Sequence, residues 1–545
     1  MQEFFKFIVD QNLSLLAPEL ILVTTILVGL ICSLSAKESD RQDTWWLALV
    51  GVLATFVCLL MHAFWLYAPA VTQSSQWLLK PVLFAAFQAD LFSLSMRLML
   101  SFGMLMVLLI ARPFVQRQCH YVPGEFYIIL LTALLGGMLL SGANDLVLGF
   151  VAFETLGIAS YILVGFLRSD ARSAEAAFKY LVYGTASTAV LLFGFSLLYG
   201  ASGGFTRLDE IMVAIRQSPA FISAGSLNIL YPVMSIMIFA GIAFKLSVAP
   251  FHLWTPDVYE GAPYPVTAFL SVLSKLAGFA FALRILMVIV GPEAWVSLLA
   301  AVSILSMLLG NTVAIFQNNV KRLLAYSTIA HAGYILLGLL VLTPESVGSL
   351  VYYLATYLLM NLGAFASVGY FYHLTGSDKV SDFAGLVKKR PILTFVFSIF
   401  LLSLAGIPIT AGFFAKFFLF QSVIMATTEH LWLIIIALAA STISLYYYLN
   451  IIRLMVIAEP SDKVLLIDSE PRYMTDYQLL PNRLALAVTC AGTLLLGFFA
   501  DPAIQLFTES SKALTFPGRQ VGALPIQNPS PSSSMVVATT TAKHK

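Results

Sequence analysis

Runs of about twenty apolar residues recur along this chain, and a segment of that kind has few structures open to it. Inside a hydrocarbon layer every backbone N–H and C=O must find its partner within the protein, so each run is expected to be a helix. The fourteen runs lie at approximately 13–35, 45–67, 91–111, 124–143, 144–167, 176–200, 228–254, 265–290, 296–316, 326–344, 346–372, 391–424, 430–457 and 484–506. Only the turn Gly142–Ala143–Asn144–Asp145 separates the fourth from the fifth. Composition agrees: 59% of the 545 residues are hydrophobic and 11% charged, against roughly half and a quarter in soluble domains. The expected fold class is an all-α polytopic membrane protein of about 14 transmembrane helices. A net charge of +2 gives no basic footprint for nucleic acid.

Lysine and arginine set the orientation. Lys37, Arg41, Arg112, Arg117, Arg168, Arg172, Lys321, Arg322, Lys379, Lys388, Lys389, Arg390, Arg453, Lys463 and Arg472 follow odd-numbered spans, whereas Lys80, Arg207 and Arg216 follow even-numbered ones. The positive-inside rule then puts the odd loops in the cytoplasm and both termini outside. The N-terminus lacks a basic n-region and a small-residue cleavage site, so the first span reads as a retained anchor. Cys32, Cys58, Cys119 and Cys490 are scattered, with neither metal-ligand nor disulfide spacing. The loop 201–227 is a connector with one short amphipathic stretch. Residues 507–545 are rich in Pro, Ser and Thr and read as a disordered tail.

Several charges lie inside the apolar runs. A charge at the bilayer centre costs roughly 2.5–3.5 kcal/mol or more, so such residues ordinarily line a polar, hydrated path. Glu154 is central in span five, Lys245 is enclosed by FAGIAF and LSVAP, Lys275 lies about ten residues into span eight, and Lys416 is deep in span twelve. His252 and His331 add imidazoles suited to proton relay or to structural hydrogen bonding. Lys179 follows Glu175 by four residues, so a helix ion pair is as natural as a place on the path. Arg97 and Glu19 read as structural. Burial disfavours a charged lysine and a nearby carboxylate restores it, so moving one past the other toggles a proton. Moving a proton against 100 mV requires about 2.3 kcal/mol. The chain shows no nucleotide motif, Ser-His-Asp order, haem pattern or metal-ligand cluster, and the energy source is expected in a partner.

The chain also resembles itself. ETLGIASYILVG (154–165) matches STIAHAGYILLG (327–338), with Tyr161 on Tyr334 and Gly165 on Gly338. FAGIAFKLSVAPFHLW (239–254) matches LAGIPITAGFFAKFFL (404–419) through Ala-Gly-Ile at 240–242 and 405–407. The offset is five spans, an odd number, so the two units insert in opposite directions, an arrangement of transporters. Pro250 and Pro408 should each break a helix near mid-membrane. The organisation expected is three N-terminal helices in 1–123, inverted five-helix repeats in 124–290 and 296–457, a last helix at 484–506, and the tail.

FKLSVAPFHLWTPDVYEGAPYPVTAFLSVLSK (244–275), VKRLLAYSTIAHAGY (320–334), AGIPITAGFFAKFF (405–418) and ETLGIASYILVGFLRSDARSAEAAFKYL (154–181) resemble the antiporter-like membrane subunits of respiratory complex I. WTPDVYEGAP (254–263) is similar to the subunit N, or 2, branch, and LLTALLGGMLLSGANDLVL to its cyanobacterial and plastid version. The resemblance implies a proton-translocating subunit of a type I NAD(P)H or ferredoxin:quinone oxidoreductase, driven by electron transfer in other membrane and peripheral subunits. NAD(P)H or ferredoxin, flavin, iron–sulfur clusters and quinone would belong to those partners, with no cofactor or metal held by this chain. The implied proton carriers are Glu154, Lys179, Lys245, Lys275, Lys416 and His331. The implied location is a bacterial plasma membrane or a cyanobacterial thylakoid. The lateral helix of subunit L has no counterpart in the Pro/Ser-rich tail. The rival readings are a cation/proton antiporter subunit, which shares the broken-helix lysines, and a structural membrane spacer.

Overall fold

The computed structural model describes residues 12–35, 44–67, 81–119, 123–217, 230–289, 294–426, 428–467, 478–512 and 514. The apolar runs form helices throughout. Three N-terminal helices come first: α1 (Ala17–Ser35), α2 (Thr44–Tyr67) and α3 (Leu91–Gln118). The first repeat holds α4 (Pro123–Gly142), α5 (Leu146–Val164), α6 (Ala171–Ala201), the amphipathic α7 (Leu208–Gln217), the half-helices α8 (Leu230–Leu246) and α9 (Trp254–Gly261), and α10 (Tyr264–Ile289). The second holds α11 (Ala294–Ala314), α12 (Val320–Leu336), α13 (Pro344–Thr375), the half-helices α14 (Pro391–Ala405) and α15 (Ala411–Ala426), and α16 (Leu431–Val456). A short α17 (Asp462–Leu465), α18 (Leu480–Phe498) and α19 (Ala500–Lys512) complete the described chain.

Among the described residues eleven helices are long and apolar enough to cross a membrane, and the half-helices α8, α14 and α15 are shorter apolar segments at the two breaks. The chain is thus a multi-pass membrane protein. Most transmembrane helices bury one face and present apolar side chains such as Ile31, Phe64, Ile392 and Phe498 outward, as lipid contact requires. α10 and α13 are different. Both are buried along nearly their whole length and form the centre of the bundle, so polar residues on them can face only other protein groups or water.

Two helix pairs, one in each of the expected repeats, pack in a similar way. On α4, a Cβ at Gly136 would lie 2.7 Å from the Leu156 nitrogen and 3.0 Å from the Ala152 oxygen of α5. On α11, a Cβ at Gly310 would lie 2.6 Å from the Ala330 nitrogen and 2.7 Å from the Tyr326 oxygen of α12. Each repeat therefore opens with a helix pair in direct backbone contact, which only glycine permits.

Several sequence expectations are corrected. Span fourteen does not run unbroken to 506: α18 ends at Phe498, and α19 turns away from it. The tail does not begin at 507, since α19 is helical to Lys512 and its Ser511 hydroxyl donates to the Pro344 carbonyl at 2.7 Å; residues 515–545 lie outside the described residues. Span three continues through Pro113 to Gln118. The Ala-Gly-Ile match does not mark equivalent positions. Gly241 is inside α8 against Leu191, whereas Gly406 ends α14 at φ +83°. One non-helical element also appears, a hairpin of β1 (Pro81–Val82) and β2 (Phe87–Gln88).

Two ion pairs are buried outside the repeat centres. Arg97 meets Glu19 at 3.1 Å, in keeping with a structural role. Asp90 caps the N-terminus of α3 and accepts two bonds from Arg284 of α10, at 2.8 and 2.9 Å, with both side chains 2% exposed. Removing one partner of such a pair strands the other charge, so Asp90→Ala should destabilise the fold by about 3–5 kcal/mol. Thermal unfolding in detergent would measure it, and a shift no larger than that of a surface substitution would contradict the pairing.

Candidate functional site

The site starts from two interrupted helices. α8 stops at Leu246, Ser247 takes φ +60°, and Pro250 offers no N–H. A helix C-terminus leaves carbonyls without intrahelical partners, and buried ones must be satisfied elsewhere. Here Val248 N–H donates to the Ala243 carbonyl at 3.1 Å, and Ser247 N–H to Phe244 at 3.0 Å. The Trp254 indole also donates to Phe244, at 3.0 Å. The Leu246 carbonyl receives the Lys275 ammonium from α10 at 2.7 Å. A cation at this position also meets the negative end of the helix dipole.

The second break repeats the chemistry by another route. α14 ends at Ala405, and Gly406 N–H turns back to Leu402 and Ser403 at 3.1 and 3.0 Å. Lys416, one turn into α15, reaches back to the Leu404 and Ala405 carbonyls at 3.3 and 3.1 Å and to the Ser441 hydroxyl of α16 at 2.8 Å. An ammonium has three N–H donors, and these three acceptors match them. In both repeats a buried lysine closes a severed helix.

The predicted carriers fall into two clusters. Lys245, Lys275 and Glu154 gather at the first break. Lys245 and Lys275 are each 2% exposed, and a Cβ on Gly278 of α10 would lie 3.5 Å from Lys245 Cγ. The Lys245 ammonium sits 5.2 Å from the Phe153 ring centre, and the charge of the adjacent, half-buried Glu154 acts on it. His252 is buried in the loop of this break, its Nδ1 without a protein partner. Lys416 and His331 gather at the second break on either side of Tyr334, whose ring centre is 5.1 Å from the ammonium and 5.9 Å from the imidazole.

Lys179 stands apart. Its side chain is 38% exposed and pairs at 2.8 Å with both Glu175 and Asp257. Asp257 on α9 is shared with Arg322 of α12 at 2.8 Å, and Arg322 also holds Glu260 at 2.9 Å. This chain of charges ties α6, α9 and α12 together. Asp257, Glu260 and Arg322 were not among the expected carriers because they lie at span ends, where charge needs no explanation.

Around His331 and Tyr334 lies a set of hydroxyls and amides that the sequence reading also missed. His331 Nδ1 lies 2.8 Å from the Tyr353 hydroxyl and Nε2 3.5 Å from that of Tyr448, which also bonds Ser327. Tyr357 donates to Thr328 and accepts from Asn361, both at 3.0 Å. Asn311 donates to Tyr334 at 2.9 Å and accepts from Tyr447 at 3.0 Å. Ser274 Oγ and Asn361 Oδ1 are buried without a protein partner among the described residues. A signal was present: Tyr353, Tyr357 and Asn361 recur every fourth residue and so share one face of an otherwise apolar helix.

Because the Lys179–Asp257 pair is half-exposed, a double-mutant cycle with Lys179→Ala and Asp257→Ala should return a coupling of only about 0.5–1 kcal/mol in thermal unfolding. A coupling as large as that expected for the buried Asp90–Arg284 pair would show that this face is closed to water.

A family model described as "NADH:quinone oxidoreductase/Mrp antiporter, TM" matches residues 143–444. The chain is 43% identical to NAD(P)H-quinone oxidoreductase subunit 2 of Synechococcus sp. (strain JA-3-3Ab), over 94% of each chain. It is 39% identical to the protein of the same name in Nostoc sp. (strain PCC 7120 / SAG 25.82 / UTEX 2576), over 97% of this chain and 99% of that one. Among solved structures it is similar to a chain of respiratory complex I from Thermus thermophilus, with TM-score 0.68 and 30% identity over 88% of this chain and 97% of that one. A chain of the Mrp complex from Dietzia sp. DQ12-45-1b shares the fold, with TM-score 0.74 and 22% identity over 92% and 97%.

Proposed function

Since the chain belongs to the NADH:quinone oxidoreductase/Mrp antiporter transmembrane family and to its subunit 2 branch, we propose that it is a proton-translocating membrane subunit of a type I NAD(P)H or ferredoxin:quinone oxidoreductase. The observation that carries the mechanism is the pair of severed helices, each closed by a buried lysine. A protonated Lys275 or Lys416 bonds the helix carbonyls. Loss of its proton leaves Lys416 with two N–H donors for three acceptors and takes from the Lys275–Leu246 bond the charge that strengthens it, so charge and backbone are coupled.

In this reading Glu154 holds the charge on Lys245, Lys275 accepts the proton from Lys245, and His331 with the Tyr353, Tyr357 and Asn361 stripe carries it toward Lys416. Lys179 acts at the entrance through its exchange between Glu175 and Asp257. His252, in the loop of the first break, serves as a further relay group for the proton. Electron transfer takes place in partner subunits, which hold the flavin and iron–sulfur centres and meet the nicotinamide or ferredoxin and the quinone. The membrane is a bacterial plasma membrane or a cyanobacterial thylakoid.

The test uses the assembly that co-purifies with the tagged chain, reconstituted into vesicles. With Lys245→Ala or Lys416→Ala, and the assembly intact, the protons moved per electron should fall at least tenfold. The activity of the unsubstituted assembly should not require Na⁺. An unchanged ratio in both variants would leave a membrane spacer, and Na⁺-dependent flux would favour an antiporter.

A further inference from the structure

A chamber of about 160 Å³ lies where α10 and α12 begin and α13 ends. Asp170, Arg172, Glu260, Lys321 and Asp378 line it, and walls so charged hold water. One water needs only roughly 10–15 Å³ of such a cavity. The segments before α6, before α12 and after α13 all follow odd-numbered spans, so the charge distribution puts the chamber at the cytoplasmic surface.

Tyr264, the first residue of α10, forms part of the chamber wall. Its ring is wedged between α3 and α13. The Phe114 ring centre is 5.6 Å away, and a Cβ at Gly369 would overlap the tyrosine ring. The Tyr264 hydroxyl shares a hydrogen bond with Nε2 of His373, in the last turn of α13. His373 is 1% exposed, and its Nδ1 has no protein partner among the described residues. From Tyr264 a polar stripe runs along α10. Tyr264, Thr267, Ser271 and Lys275 recur every third or fourth residue and so share one face, with Ser274 beside them. α10 is buried along its length, so that face meets only protein or water. The Thr267 hydroxyl donates to the Tyr259 carbonyl of α9 at 3.2 Å, and Lys275 bonds the Leu246 carbonyl of α8 at 2.7 Å. The stripe therefore follows the first break from the chamber to the buried lysine. Neighbours on one helix face stand about 5–6 Å apart, a gap that one water bridges.

We propose that Tyr264 and His373 form a proton gate, through which protons from the cytoplasmic chamber reach Lys275 along the hydroxyls of α10. This second entrance is separate from that at Lys179, and it rests on Lys275 being a proton carrier. A hydroxyl accepts one proton as it gives up another, and an imidazole does the same across its two nitrogens. The pair thus passes a proton on with no net change in its own charge. In a purely structural bond the unpartnered imidazole nitrogen would be a buried cost without a use.

The experiment takes the assembly that co-purifies with the tagged chain, in vesicles with its cytoplasmic face outward, and measures protons moved per electron. Tyr264→Phe keeps the packed ring and removes only the hydroxyl. His373→Gln keeps a hydrogen-bonding partner for that hydroxyl and cannot relay a proton. Each should lower the ratio at least twofold. Gln118 lines the chamber and is exposed. A charged thiol reagent that does not cross membranes should label Gln118→Cys from the cytoplasmic face only, and lower the ratio as the gate variants do. A full ratio in Tyr264→Phe, a full ratio in His373→Gln, or no labelling from the cytoplasmic face would overturn the gate. Lys245→Ala measured alongside separates the two claims: if it too leaves the ratio unchanged, the lysine carriers fail, and if it alone lowers the ratio, only the gate fails. Tyr264→Phe carries the test by itself where His373→Gln does not assemble.

Discussion

The contact on which the rest depends is the bond between a buried ammonium and the carbonyls at the end of a severed helix. Taking an ammonium out of water costs several kcal/mol or more, and an unsatisfied carbonyl at the same depth costs roughly 2–7 kcal/mol besides. Each defect offsets the other. Lys275 on the Leu246 carbonyl, and Lys416 on Leu404 and Ala405, make each break tolerable in a bundle that is otherwise apolar. α10 and α13, buried nearly all round, supply the rigid frame that keeps these polar groups from lipid.

Much of the fold was legible because hydrophobic length alone specifies a transmembrane helix. The fourteen runs, the turn at Gly142–Asp145 and the two proline breaks follow from that principle. What sequence could not locate were helix ends. The run 484–506 does hold a signal for the turn at Phe499, since Asp501 and Pro502 mark the start of a new helix, but the overall hydrophobicity of the run masks it. The Ala-Gly-Ile match misled for a related reason: glycine serves close packing at Gly241 and a left-handed turn at Gly406, and the letters do not distinguish the two.

The candidate site was half legible. Intramembrane Glu154, Lys245, Lys275 and Lys416 stand out because charge is rare at such depth. The neutral side chains that join them do not, since tyrosine and asparagine are unremarked in an aromatic-rich chain. Tyr353, Tyr357 and Asn361 become meaningful only once α13 is known to have no lipid face. Lys179 shows the converse. Its spacing from Glu175 suggested an ordinary helix pair, and that pair is present, but Asp257 as a second partner lies 78 positions away and no local pattern announces it.

The two breaks differ in what they are fastened to. Lys275 belongs to α10, so the first seam is pinned to the stiff middle of the bundle. Lys416 belongs to α15, the other half of the helix it mends, so the second seam is sewn to itself. α14 and α15 can therefore pivot about Gly406 only by stretching a link that is electrically charged, whereas α8 can shift only if the central frame yields. The first seam is thus a tie between two separate helices, and the second a tie between the two halves of one.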